Sequence, residues 1–254
     1  MLTKPGHIAA LRIADPVIRY RWNEWNVRAA YEPIDPQLCQ RLQGLTRRSV
    51  TGFAIACGEW VAYRYEGLTD RDEPLDLLEA AWAANIDPAY SYPFETEDDE
   101  WRGPLLGPLN IMMALVVDAL FGHEAIADPA QDACRLTALA RHVLPDPAPF
   151  QRWQEACLAR LHRHCTVTAT AEAALLDETA LDGDPVPREL YDPMFQFDPA
   201  QTATLIKAFL VPLASSQNPF LGTPEEMLDA GFVGTPYQWP ARSDRDGGSD
   251  SWTC

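Results

Sequence analysis

Two groups of side chains have types and spacings that could do chemistry. Glu97 and Glu100 stand three residues apart, which on a helix would put two carboxylates on one face, a pair able to hold a hard cation such as magnesium. A metal-dependent hydrolase on an all-α scaffold needs a second acidic pair facing the first. The nearest acids, Asp118 or Glu124 with Asp128, do not repeat the spacing. Cys157, His164 and Cys165 would share one side of a helix, with His162 beside them, yet zinc sites draw four ligands from spaced pairs, and Cys157 and Leu161 lie on an apolar stripe. A buried structural patch is the stronger reading, so no metal and no cofactor are expected. His123-Glu124 lacks the second histidine of a zinc-protease helix, and the chain contains no GxSxG, GxxxxGK[ST] or GxGxxG. No catalytic residue is assigned.

The segment AYSYPFETEDDEW at 89–101 carries more information. It sets Glu95, Glu97, Asp98, Asp99 and Glu100 among Tyr90, Tyr92, Phe94 and Trp101, with no base to compensate. Aromatic anchors ringed by charge are the usual make-up of a tight protein contact, so these nine residues are expected to bind a partner. The plainer reading is a solvated loop joining two helical layers. The formal net charge of −17 disfavours nucleic acid and anionic membranes and favours a basic protein. The charge is uneven: residues 1–50 hold eight Lys/Arg against four acids, and residues 51–100 hold two against thirteen. Arg47-Arg48, with Arg41 nearby, therefore reads better as a solvated face or as ion-pair donors to the acidic half than as a phosphate site. Trp22 and Trp25 read as core or interhelical packing, because the chain around them has helical periodicity.

In size, acidity and lack of a catalytic motif the chain resembles soluble bacterial immunity proteins, which occlude the active site of a cognate toxin. The resemblance is one of composition and covers no defined segment. It implies an acidic inhibitor whose partner is a basic toxin, with a metal-dependent hydrolase using acids near 97–100, or a helical adaptor, as the alternatives. Six cysteines form no CxxC pair in a chain large enough to fold without staples, so reduced thiols and a cytoplasmic location are expected. The N-terminal residues lack the shape of a secretory signal, and the most apolar run, Ile111 to Phe121, carries Asp118 and is short for a membrane span.

The elements that must position these residues are helical. Asp-Pro occurs eight times, at Asp15, Asp35, Asp87, Asp128, Asp146, Asp184, Asp192 and Asp198. Asp can accept from the free N–H groups of a first turn, and Pro at the next position gives up no needed donor, so these pairs read as helix starts. Apolar stripes succeed them, at Leu75, Leu78, Trp82 and Ile86; at Leu109, Met112, Met113, Val116 and Leu120; and at Phe150, Trp153, Cys157, Leu161 and His164. With further helices expected over 16–31, 36–48, 50–65, 129–144, 168–181 and 199–211, the chain reads as an all-α, irregular multi-helix bundle of about eight or nine helices, open to repeat-like pairing. Gly52 and Gly58 leave a strand as the alternative for 50–65. Thr223-Pro-Glu-Glu226 reads as a capped start, ended by Gly231. Residues 1–239 form one helical domain, or two packed halves meeting near 90–104, and 240–254 a polar flexible tail.

Overall fold

The structure, a computed structural model, describes residues 2–92, 100–122, 128–167 and 181–240. All but Leu181 of the helix expected over 168–181, the histidine and glutamate at 123–124 and the tail from 241 onward lie outside the described residues. Among the described residues the fold is all-α, with no strand: α1 Gly6–Ala9, α2 Pro36–Gln43, α3 Arg47–Arg64, α4 Glu73–Ile86, α5 Gly103–Phe121, α6 Pro129–Val143, α7 Ala148–His164, α8 Thr202–Leu210 and α9 Pro224–Asp229.

Helix α3 is the axis of the fold, and α4, α5 and α6 pack around it. Every residue from Ser49 to Arg64 is buried. A helix enclosed on all sides shows no polar face, and that is why its pattern competed with a strand reading. Gly52 and Gly58 are close-approach positions within it. A Cβ on Gly52 would sit 2.2 Å from Tyr191 Oη, and one on Gly58 would sit 3.0 Å from Leu78 Cδ2.

Helix α5 runs nineteen residues and is, by length and composition, apolar enough to cross a membrane. The expectation of a segment too short to span is corrected in that respect, because the helix begins eight residues before the apolar run. Leu109, Met112, Met113, Val116 and Ala119 are nonetheless buried, and α5 packs against α3, α4 and α6. Buried side chains from Leu2 to Tyr237 join one contiguous hydrophobic cluster.

The charged groups inside this core are satisfied in specific ways. Glu59, 1% exposed, accepts from Trp82 Nε1 at 2.7 Å and from Arg188 Nε at 2.7 Å. Arg188 also donates to the Thr3 carbonyl, tying the N-terminal arm to α3. Arg64, equally buried, donates to the carbonyls of Val143, Asp15 and Val17. Those bonds correct the helix expected over 16–31: carbonyls turned toward Arg64 do not face N–H groups four residues on, and only Val27–Ala30 forms a single 3-10 turn.

Helix ends obey local chemistry. Asp128 Oδ1 accepts from Ala130 N at 2.9 Å at the start of α6, and Thr223 with Glu226 completes a capping box at α9. Gly231, at φ +88°, ends α9, with Phe232 N–H bonded back to the Met227 carbonyl. Arg48 donates to the carbonyls of Asn85 and Ile86, where α4 would otherwise leave acceptors open. Arg41 pairs with Glu155 at 2.9 and 3.0 Å, and Arg47 approaches Asp182 at 4.0 Å. Asp128→Ala is expected to lower stability by about 1 kcal/mol, read as a shift in the urea midpoint.

The expectation of six free thiols is also corrected. Cys39 on α2 and Cys134 on α6 are joined as a disulfide with Cα atoms 6.1 Å apart, whereas Cys57, Cys157 and Cys165 are free and buried. Ninety-five residues separate the pair, and the packing of α2 on α6 brings them together, which no local spacing reports.

Asp192 ties α1 to the chain after α7. Its carboxylate lies 3.1 Å from His7 Nδ1 and accepts from Gly6 N at 3.0 Å and Met194 N at 2.9 Å. Burial pushes its pKa up, but the His7, Met194 and Gly6 contacts outweigh this and hold it below the ordinary aspartate value. A group lowered in the folded state binds fewer protons there than in the unfolded chain. Its contribution is complete above the unfolded pKa of about 3.9 and is lost as pH falls through the folded value. Asp192→Asn is therefore expected to flatten the acid limb below about pH 4 in urea midpoints measured against pH.

Candidate docking surface

The nine residues of the acidic-aromatic segment do not form one exposed face. Phe94, Glu95, Glu97, Asp98 and Asp99 lie outside the described residues, so the structure speaks for the two flanks. Tyr90 is fully buried, stacked on Tyr237 with centroids 4.8 Å apart and touching Phe232 at 5.7 Å. Burial pushes its hydroxyl up to about 12. Its carbonyl accepts from Gly222 N at 3.1 Å, so this flank is stitched to the C-terminal arm. Trp101 is buried too.

Tyr90 and Trp101 are thus largely enclosed by the protein's own fold, and Trp101 keeps an edge on a surface cleft. Tyr92, 45% exposed, remains available at the surface. Glu100 is exposed and pairs with Arg71 at 3.1 Å; the same guanidinium reaches Glu73 at 3.0 Å and lies over the Trp101 ring, 5.3 Å from its centroid. Hydrogen bonds to Glu73 and Glu100 raise the Arg71 pKa, so the cation in this clasp stays charged.

The packing assignment holds for Trp22, which lies against the core, and is corrected for Trp25. Trp25 is 96% exposed, and Trp22 is partly buried. Asn23 Oδ1 accepts from Trp25 N at 3.0 Å and the Asn23 carbonyl accepts from Asn26 N at 3.0 Å, so WNEWN is a turn that holds Trp25 outward. Trp22 lies on α5 at Gly107, where a Cβ would meet its ring at 2.5 Å. Its Nε1 donates to Glu24 Oε1 at 2.8 Å, and the same oxygen accepts from Gly103 N at the first turn of α5.

These contacts build a cleft of about 390 Å³ lined by Trp22, Glu24, Trp25, Trp101, Arg102 and Asn110. It begins where the acidic run ends. The signal that could have found it is the pair of asparagines flanking Glu24-Trp25, which favour turns over helix interiors.

The cysteine-histidine cluster is brought only partly together. Cys157 and Cys165 are buried, and burial pushes the Cys165 thiol up to about 11 and Cys157 well above its usual value, which keeps both protonated and poor as ligands. His164 is exposed, edge-on to Phe197 at 5.4 Å, and His162 is exposed as well. Among the described residues no three His, Cys, Asp or Glu side chains are grouped to hold a metal ion. The Glu97 and Glu100 pair cannot be assembled, since Glu97 lies outside the described residues.

Comparison of the chain with protein-family models, with curated proteins and with solved structures finds no match.

Proposed function

We propose that this chain is an acidic protein-binding inhibitor of the immunity class, which neutralises a cognate basic bacterial toxin by covering its active site. The observation that carries this reading is Trp25, 96% exposed at a tryptophan-lined cleft that includes Trp101, the residue after the acidic run in the sequence. An indole left almost wholly in water forgoes a large burial energy, and tryptophan leads the residue types that dominate binding energy at protein interfaces. The net charge of −17 supplies long-range attraction for a cationic partner. Such a protein would act in the cytoplasm, before the toxin is exported.

The test begins with a secreted toxin encoded beside this chain's gene: the two products are mixed and scored for a stable complex and for loss of toxin activity. Glu95, Glu97, Asp98 and Asp99 are replaced together by alanine, sparing Glu100 because it pairs with Arg71. Slower association with a flattened salt dependence supports the proposal. Unchanged affinity and kinetics reject the docking role of the acidic run. Loss of turnover of a small substrate in that variant, with the fold intact, would establish a metal hydrolase instead.

A further inference from the structure

We infer that the cleft between Trp22, Trp25 and Trp101 receives an arginine guanidinium from the basic partner, an inference that rests on the docking reading above. The protein already shows the recognition unit once, within itself. Arg71 lies over the Trp101 ring and is gripped from its edges by Glu73 and Glu100, so indole face and carboxylate together hold one planar cation. The cleft repeats the same components with Trp22, Trp25 and Glu24.

Glu24 is fixed for this purpose. Its Oε1 is occupied by Trp22 Nε1 and Gly103 N, and Oε2 meets no hydrogen-bond donor among the described residues. Trp22 is held by its bond to Glu24 and by its seat on Gly107, so two walls of the cleft are set before a guest arrives. Trp25 supplies a face with almost no intramolecular contact. Preset walls lower the ordering cost of binding.

Arginine suits this cleft better than lysine, because its planar, weakly hydrated guanidinium stacks on indole while its edge bonds a carboxylate.

The probe is a capped hexa-arginine peptide, with a capped hexapeptide of alanine and phenylalanine as the neutral control, titrated against the full chain while tryptophan indole N–H resonances are followed by NMR. Saturable shifts at Trp22 and Trp25 are expected with hexa-arginine alone. Glu24→Gln and Trp25→Ala should each weaken the interaction by about five-fold. Trp25 is exposed, so its replacement leaves the fold intact, as the unchanged remaining indole signals would verify.

Equal binding of the neutral peptide overturns the inference in favour of an apolar guest. Loss of hexa-arginine binding on neutralising 95–99, with no effect of Glu24→Gln or Trp25→Ala, also overturns it while leaving the acidic run as the docking element. Conversely, arginine capture in the cleft by a chain whose acidic-run variant keeps full toxin affinity upholds this site and rejects the run's role.

Discussion

Glu59→Ala is expected to lower the stability of the protein by about 3–5 kcal/mol, the usual cost of leaving one member of a buried ion pair alone. Its carboxylate is paired with Arg188, whose pKa is raised: burial works against the charge, and Glu59 outweighs it. Removing Glu59 strands that guanidinium and also leaves Trp82 Nε1 without its acceptor. Glu59→Gln keeps an oxygen for Trp82 and should cost less. Replacing Glu59 and Arg188 together by leucine should recover much of the loss, since the expense lies in the unpaired charge more than in the missing attraction. Urea unfolding of the three variants checks this, and a loss under about 1 kcal/mol for Glu59→Ala would contradict the account.

Gly52→Ala is expected to be destabilising even though alanine is the better helix former. The propensity gain is at most about 1 kcal/mol. Against it stands a Cβ placed 2.2 Å from Tyr191 Oη and 2.5 Å from Cζ. Tyr191 cannot withdraw cheaply: it is buried, donates to the Ser49 carbonyl at 3.0 Å, packs on Trp82 at 5.1 Å, and its own carbonyl accepts from Trp153 Nε1 at 2.9 Å. Overpacking of this kind costs about 1–3 kcal/mol and more where the neighbour is pinned. A net loss of about 2 kcal/mol in urea unfolding is expected, partly relieved by Tyr191→Phe, which removes the nearest atom. A variant as stable as the parent would mean that Tyr191 has somewhere to go.

How legible each part was depends on whether its cause is local. Seven of the eight Asp-Pro aspartates accept from the N–H two residues on, as their side-chain geometry allows. That bond closes a turn but leaves the next residues free to coil or not. Asp35 and Asp128 open α-helices and Asp146 directly precedes one, whereas Asp87 and Asp198 open 3-10 turns, and Asp15 and Asp192 lie in irregular chain. Apolar stripes decided the long helices α4, α5 and α7, whose expected residues are buried or packed on the core except His164, which ends α7 exposed.

The features that could not be read depend on distant partners. Arg64 takes the carbonyls of Asp15 and Val17 from forty-nine and forty-seven residues away and keeps that stretch from coiling. Cys39 meets Cys134 only because α2 lies on α6. At the candidate site, aromatic type marked the region but not exposure: Tyr90 and Trp101 turn inward to rings and helices far along the chain, while Trp25 turns outward on two asparagines.

The enclosure of α3 has a consequence for inheritance. In a library of single substitutions selected for retained folding, α7 should show tolerance rising and falling every three to four residues, tracking its exposed Glu155, Ala156 and Ala159 and its buried Trp153, Cys157 and Leu161. Helix α3, with no solvent side between Ser49 and Arg64, should show one unbroken trough. Substitution in the turn bearing Trp25 should then be far better tolerated than substitution in α3, so the surface can change without renegotiating the centre of the molecule.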